Sequence, residues 1–211
     1  MPVRKVSNHG GNAIGRFPST KMGRMIAFES LLERDFIYLL DYDPVVDWFE
    51  EQPLSIEYQQ EEQLLHYTPD FHLLEDDRHV LVECKPERFI DTDENRRKLA
   101  VGQAWCEKQG WEFRLVTDQQ VRSGYRLQNI KLLSQYARQK VDAATRSQIQ
   151  AFLQAAQIPV CIHDLPQAIA PMTSLFCLAY HHEIDLPLDE APISGTTLVS
   201  CPVQKPKERV Q

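Results

Sequence analysis

Three ionisable residues near the middle of the sequence have the spacing of a hydrolytic site. Asp70 directly follows Pro69, and Glu83 and Lys85 lie two positions apart at the end of the apolar run 78–85. A strand alternates its side chains between two faces, so Glu83 and Lys85 point the same way. If the strand that carries Asp70 forms a hairpin with this run, the carboxylates of Asp70 and Glu83 come together.

Such an arrangement is suited to metal-dependent phosphodiester hydrolysis. Two adjacent carboxylates repel each other unless a cation neutralises them, and their oxygen atoms are ligands that Mg²⁺ or Mn²⁺ prefers. A neighbouring lysine can orient a water molecule or balance charge on a phosphate. A solvated strand end with a cross-strand ion pair uses the same residue types, so the motif by itself leaves both interpretations open.

The elements around this motif predict a mixed α/β fold. Apolar residues at helical spacing over 25–41 predict an amphipathic helix with Glu29 and Glu33 on about the same face. The order helix, strands, helix, strand predicts an α/β domain with a mixed sheet. The further predicted elements are strands over 45–52, 54–60, 64–75, 78–85 and 111–118 and a helix over 91–109.

The sequence changes character after residue 119. Two helical patterns are followed by a proline-rich stretch that breaks into short elements, which together predict a small winged-helix-like module. The predicted elements are helices over 127–140, 143–157, 164–170 and 172–183 and a strand over 195–201.

Charge is distributed unevenly along the chain, whose net charge is −7. Residues 1–28 contain five basic residues and no acid, whereas residues 41–62 contain eight acids and no base. Basic residues return over 96–98 and 122–146. This pattern fits a metal-holding centre between segments that contact phosphate, and it also fits ordinary variation of a solvated surface.

Several classes of protein are not indicated. No segment approaches the run of about eighteen apolar residues that a transmembrane helix needs, and the first residues lack the apolar stretch of a signal peptide. We therefore expect a cytoplasmic protein with no membrane partner. The five cysteines are widely spaced, odd in number and free of C-x-x-C spacing, so neither a zinc site nor a disulfide framework is indicated.

Taken together, the motifs resemble the PD-(D/E)xK, or restriction-endonuclease-like, nuclease core, and within it the TnsA family. The resemblance covers roughly residues 25–122 and rests on the acidic stretch 31–54, on "TPDF", on "VECK" and on "WCEKQGWEFRLVTDQQV". TnsA is the subunit of Tn7-like heteromeric transposases that cleaves the 5′ ends of the transposon. The resemblance implies a restriction-endonuclease-like mixed sheet flanked by helices, and an endonuclease that uses Mg²⁺ (or Mn²⁺) on transposon-end DNA.

The resemblance also implies a role for each site residue. Asp70 corresponds to the metal-binding aspartate and Lys85 to the catalytic lysine. The family spacing selects Glu33 rather than Glu29 as the helix carboxylate, and Glu83 stands where some TnsA proteins have glutamine. The predicted catalytic residues are Glu33, Asp70, Glu83 and Lys85, and the predicted metal ligands are Asp70, Glu83, Glu33 and the backbone carbonyl of Cys84.

Domains and partners follow from the same resemblance. A nuclease domain is predicted over 1–142, with a basic arm at 1–24, and it would act beside a TnsB-like transposase. A winged-helix-like domain over 143–211, ending in a disordered tail, would bind a TnsC-like AAA+ ATPase.

Two alternatives stay open: a stand-alone repair or junction nuclease of the same fold, and a non-catalytic assembly subunit of transposition. The predicted DNA-contacting residues are Arg16, Lys21, Arg24, Arg122, Arg126 and Lys131.

Overall fold

The computed structural model of the chain describes residues 13–202. The chain forms two compact units that divide between Ser123 and Gly124. This division differs from the predicted boundary after residue 142, because the helix Arg126–Ser134 packs against the helix Met172–Tyr180 within the second unit. The predicted arm before residue 13 and the predicted tail after Pro202 lie outside the described residues.

The first unit is a mixed sheet flanked by helices, which confirms the predicted fold class. Its main sheet has the order β3-β6-β7-β8, in which β7 and β8 are parallel and the other neighbours antiparallel. Two separate hairpins, β1–β2 and β4–β5, accompany it. The elements are β1 (Gly15–Pro18), β2 (Met25–Phe28), α1 (Leu31–Tyr42), β3 (Val46–Glu51), β4 (Ile56–Gln60), β5 (Gln63–Tyr67), β6 (Phe71–Glu75), β7 (Arg78–Cys84), α2 (Asp93–Gln109), β8 (Glu112–Val116) and α3 (Asp118–Arg122).

Helix α2 connects the parallel strands β7 and β8 and packs on one face of the sheet. Its N-terminus is capped by Thr92, and it ends at Gly110, whose φ of 70° is a left-handed conformation that glycine adopts easily. Gly102 lets the helix approach the sheet, because a Cβ there would lie 2.4 Å from the Phe113 ring. The buried residues of the core on this face are Ile56, Tyr67, Leu81 and Cys106.

Helix α1 begins later than the sequence pattern predicts. Residues Met25–Phe28 pair with β1 as a strand, and the helix starts at Leu31 after Ser30, whose hydroxyl accepts the N–H of Glu33 at 3.1 Å. The apolar residues of Met25–Phe28 suit either element, and the capping serine favours the later start. Glu29 therefore lies outside the helix, and the prediction that Glu29 and Glu33 share a helix face is wrong.

The predicted strand over 64–75 is also two strands. Strand β5 ends at Tyr67 and pairs with β4, whereas β6 begins at Phe71 and pairs with β3 and β7. Pro69 lies in the gap and has no N–H to donate to a ladder, so the strand is interrupted there. The interruption places Asp70 just before the first residue of β6.

Lys21 joins the turn after β1 to the C-terminal end of α1. Its ammonium donates to the carbonyl oxygens of Leu40 at 2.8 Å, Val46 at 2.6 Å and Asp43. The Asp41 carboxylate accepts the backbone N–H of Lys21 at 3.1 Å. An ammonium has three donors, and all three are used inside the unit. This favours a structural role for Lys21 over the predicted contact with DNA.

The described part of the second unit contains three α-helices and a small two-stranded sheet. Helix α6 packs against α4 and α5, and β9 pairs antiparallel with β10. The predicted helix over 164–170 is wrong: a short 3-10 turn ends at Asp164, and turns with Pro166 as carbonyl acceptor follow. No helix among residues 13–202 is both long and apolar enough to cross a membrane. The elements are α4 (Arg126–Ser134), α5 (Ala143–Ala156), β9 (Val160–Cys161), the 3-10 turn Ile162–Asp164, α6 (Met172–Tyr180) and β10 (Leu198–Val199).

Replacement of Lys21 tests its structural role. Lys21→Met keeps most of the apolar stem but leaves three carbonyl oxygens without their donor, so we expect a loss of about 2–3 kcal/mol in the free energy of unfolding. Denaturant unfolding followed by circular dichroism measures this loss. Lys108→Met, at an exposed position of α2, is the control and should change stability by less than about 0.5 kcal/mol. Equal stability of the two variants would contradict the structural role.

Candidate active site

Asp70 lies where strands β3, β6 and β7 come together. Its N–H donates to the carbonyl oxygen of Val82 at 3.0 Å, and its own carbonyl oxygen accepts the N–H of Gln52 at 2.8 Å. Its carboxylate accepts the N–H of Cys84 at 2.7 Å. The predicted hairpin between the strand of Asp70 and β7 is therefore present, and Asp70 is fixed beside the C-terminal end of β7.

Glu83 is held by partners on both of its carboxylate oxygens. The hydroxyl of Tyr67 donates to Oε2 at 2.8 Å, and the ammonium of Lys85 lies 2.9 Å from Oε1. The N–H of Lys85 donates to the carbonyl oxygen of Val116 at 2.9 Å, which extends the pairing of β7 with β8. Glu83 and Lys85 thus point to the same side, as the strand alternation predicted.

Tyr67 is a site residue that the sequence analysis missed. A tyrosine on a strand is in most cases a core residue, and Tyr67 does pack in the core with Leu81 and Cys106. Its hydroxyl group nevertheless reaches Glu83. The available signal was its position three residues before Asp70, which alone does not distinguish the two roles.

Glu33 lies in the first turn of α1, on the third element that contributes to the site. One of its carboxylate oxygens accepts the N–H of Glu29 at 2.7 Å, and its own N–H is bound by the hydroxyl of Ser30. The charges of Glu33 and Glu83 both act on Asp70, so the three carboxylates are neighbours. Among the described residues, Oε1 of Glu29 is buried without a hydrogen-bond partner.

The electrostatics of the site are dominated by buried negative charge. Burial, reinforced by the charges of Glu83 and Glu33, raises the pKa of Asp70 well above its usual value. Burial also raises the pKa of Glu33, and the charges of Glu29 and Glu83 add to the effect. For Lys85, burial alone would lower the pKa, but the charges of Glu83, Asp70 and Glu33 outweigh it and raise the pKa. One lysine therefore faces several carboxylates.

The three carboxylates do not form a closed coordination shell in this structure. Among residues 13–202, one group of three or more His, Cys, Asp or Glu side chains brings its ligand atoms within 4.8 Å of one another, and it is Cys161, His163 and Asp164 in the second unit. Glu33, Asp70 and Glu83 are farther apart than this. Their oxygen atoms would have to move closer to share one ion.

Two of the predicted DNA-contacting arginines have buried acidic partners. Arg24 forms a bidentate pair with Glu51, at 2.9 and 2.7 Å. Arg122 donates from Nε to Asp35 at 2.9 Å and so links α3 to α1. These pairs give both arginines a structural role in the first unit. The other predicted contacts are Arg16, exposed on β1, Arg126, which contacts Asp189 at 3.3 Å, and Lys131, half-buried on α4.

The first turns of α2 carry the bases Arg96, Arg97 and Lys98 beside the acids Asp93 and Glu94. The ammonium of Lys98 lies 2.5 Å from Glu94. This hydrogen bond lowers the pKa of Glu94, and the charges of Lys85 and Arg97 add to the effect. Arg97 is exposed. The sequence marked 96–98 as basic, but only the fold places this segment near Lys85.

Comparison with known proteins identifies one family that part of the chain resembles. Residues 43–118, which contain Asp70, Glu83 and Lys85, match the family described as TnsA-like endonuclease N terminal. No curated protein matches the chain. Among solved structures, the chain is similar to the crystal structure of protein VC1899 from Vibrio cholerae, with 14% sequence identity and a TM-score of 0.26. The match covers 50% of this chain and 32% of that protein, so this chain spans about a third of its length. Residues 43–118 form a TnsA-like endonuclease N-terminal domain of the restriction-endonuclease-like superfamily.

Proposed function

We propose that this protein is a metal-dependent DNA endonuclease that cleaves the 5′ ends of a Tn7-like transposon together with a TnsB-like transposase. The observation that carries the proposal is the position of Asp70, Glu83 and Lys85 where β6 begins and β7 ends, inside the TnsA-like domain. Two carboxylates and a lysine on one rigid sheet are the side chains that phosphodiester hydrolysis with a divalent cation requires.

The chemistry of the donors fits Mg²⁺ or Mn²⁺. The residues that would hold the ion are Asp70 and Glu83, with Glu33 and the carbonyl oxygen of Cys84, and all of them offer oxygen atoms. The raised pKa values of Asp70 and Glu33 reflect buried negative charge that a divalent cation would relieve. When bound, the ion would activate water and stabilise the leaving 3′ oxygen.

The side chains of the domain itself supply positioning and charge. The Tyr67 hydroxyl and the Lys85 ammonium each contact one carboxylate oxygen of Glu83, which limits rotation of the carboxylate. Lys85 is in turn fixed by its backbone bond to Val116 and presents its ammonium on the carboxylate side of the strand. It can therefore balance charge on a phosphate or orient the attacking water.

The partners proposed for the protein follow the same family. Arg97 and Lys98 beside the site, together with exposed Arg16, are proposed to contact the DNA backbone, and the predicted contacts at Arg126 and Lys131 stay predictions. The second unit is proposed to bind a TnsC-like AAA+ ATPase. A bacterial cytoplasmic location is the setting in which such a substrate and such partners are found.

The role of Asp70 is tested with Asp70→Asn, which keeps an oxygen that can accept the Cys84 N–H but removes the charge. We expect cleavage of paired transposon ends, assayed with the TnsB-like transposase and Mg²⁺, to fall by roughly 10²–10³-fold. Asp77→Asn, in the exposed turn between β6 and β7, is the matched control and should cleave normally. Cleavage by Asp70→Asn at the wild-type rate would remove Asp70 from the mechanism.

Without divalent metal, Asp70→Asn should also change the pH dependence of stability. Because the folded-state pKa of Asp70 lies above the unfolded value of about 3.9, the wild type loses stability relative to the variant as pH rises from about 4 through the folded pKa. The variant should therefore melt at a higher temperature near pH 7, and the difference should shrink towards pH 4. Thermal unfolding in chelator at both pH values measures this. A constant difference across the range would contradict the assigned charge repulsion.

Tyr67→Phe removes the hydroxyl group that donates to Glu83 but keeps the ring in the core. We expect cleavage to fall by roughly 10–100-fold and the Mg²⁺ concentration for half-maximal activity to rise, because Glu83 loses a positioning bond. Tyr58→Phe, which changes a tyrosine packed against the same core, is the control and should leave both quantities unchanged. An unchanged Mg²⁺ requirement in Tyr67→Phe would show that its hydroxyl does not act through Glu83.

Arg97→Ala tests the proposed phosphate contact at the start of α2. DNA binding is measured in the Asp70→Asn background so that the DNA stays intact. The slope of log binding constant against log salt concentration should become shallower by about 0.9, the value for one lost phosphate contact. Arg78→Ala is the control, because Arg78 is exposed at the opposite end of β7 from the site. Equal salt slopes for all three proteins would exclude Arg97 as a phosphate contact.

A further inference from the structure

We propose that the second unit carries a zinc-type metal site formed by Cys161, His163 and Asp164. The Sγ atom, an imidazole nitrogen and a carboxylate oxygen of these residues lie within 4.8 Å of one another. These residues have no part in the proposed nuclease chemistry, so the two proposals stand or fall separately. The sequence did not indicate this site, because its cysteines lack C-x-x-C spacing and the three ligands follow the spacing C-x-H-D instead.

The backbone segment that carries the three side chains is held by strand pairing and by backbone hydrogen bonds. Cys161 ends β9, which pairs with β10, and the 3-10 turn follows directly. In that turn the N–H of Ile162 donates to the carbonyl oxygen of Thr197 at 3.0 Å, and the N–H of His163 donates to that of Gly195 at 2.8 Å. These hydrogen bonds join the turn to the residues just before β10 and so hold the three ligands in their relative positions.

The imidazole of His163 is oriented as it is in many metal sites. Its Nδ1 lies 2.7 Å from the carbonyl oxygen of Gly195, which can only accept, so Nδ1 carries the proton. In the neutral ring this leaves a lone pair on Nε2, which lies 3.2 Å from a carboxylate oxygen of Asp164. Metal-binding histidines commonly donate their other N–H to a backbone carbonyl in this way, which fixes the tautomer and the ring orientation.

The donor types select the metal. A thiolate and an imidazole suit Zn²⁺ and related transition metals, whereas Mg²⁺ and Ca²⁺ prefer oxygen atoms alone. Zinc bonds of about 2.0–2.3 Å in a tetrahedron separate the ligand atoms by roughly 3.3–3.8 Å, so small rotations of the side chains would complete the shell. Three protein ligands leave the fourth position to water or to an outside donor.

The accessibility and spacing of the ligands predict how the site behaves. Cys161 is half-buried, and His163 and Asp164 are exposed, so a metal ion can enter from solvent. All three ligands lie within four consecutive residues, so the ion would close only a very short loop and should raise the unfolding temperature little. A saturable metal-binding signal is therefore a better test than thermal stability.

The experiment titrates the full-length protein with Co²⁺ in reducing buffer containing excess Mg²⁺, which occupies sites that have only oxygen donors. We expect one equivalent of Co²⁺ to produce the near-ultraviolet charge-transfer absorption of a thiolate–cobalt bond, and one equivalent of Zn²⁺ to remove it. Cys161→Ser should abolish the absorption, and His163→Gln should weaken Co²⁺ binding by about tenfold or more.

Cys201→Ser is the matched control, since Cys201 is a half-buried cysteine of the same unit outside the group. It should keep the absorption and the affinity of the wild type. Absence of the band at one equivalent would overturn the proposal and leave His163 and Asp164 as an ordinary surface pair. A band that persists in Cys161→Ser, or that disappears in Cys201→Ser, would overturn it as well, because a different thiol would then be the ligand.

Discussion

The hydrogen bond from the N–H of Cys84 to the carboxylate of Asp70 is the contact on which the arrangement of the candidate site depends. It continues the β6–β7 pairing beyond its last backbone bond, with a side chain as the acceptor. Pro69 interrupts the preceding strand, so Asp70 is free of that ladder but still bound through its backbone to Val82 and Gln52. The position of the carboxylate is therefore fixed by a rigid sheet, which is the kind of support that precise chemistry needs.

The same contact has an energetic consequence, because it brings Asp70 into a buried region that already holds acids. Glu83 is compensated by the hydroxyl of Tyr67 and the ammonium of Lys85, but this single lysine also faces Asp70 and Glu33. These acids therefore repel one another, and a cation that bound the folded state would relieve the repulsion and stabilise the fold. In such a site, stability in the absence of metal and affinity for metal are expected to oppose each other.

Local spacing predicted the parts of this site that depend on a single strand. The alternation of β7 gave the common orientation of Glu83 and Lys85. Predictions failed where a local pattern suited two structures. The apolar stretch Met25–Phe28 suited a helix or a strand, and its pairing with β1 decided for the strand. Tyr67 could not be found locally, because its role comes from a partner sixteen residues away.

The contacts of the basic residues likewise could not be predicted from their positions in the sequence. The charge pattern along the chain fitted either segments that contact phosphate or ordinary surface variation, against a net charge of −7. In the structure, Arg24 and Arg122, two of the predicted DNA contacts, instead neutralise the buried acids Glu51 and Asp35. Arg114 pairs with Glu75 in the same way.

Charges that cancel inside the domain contribute little beyond a few ångströms, and salt screens exposed charges over about 8 Å at physiological ionic strength. The net charge of the chain therefore says little about the field that a phosphate meets at the site. That field depends on the charges beside Lys85, which include Arg97 and Lys98 together with the opposing acid Glu94. A chain that is acidic overall can in this way place the bases Arg97 and Lys98 beside Lys85.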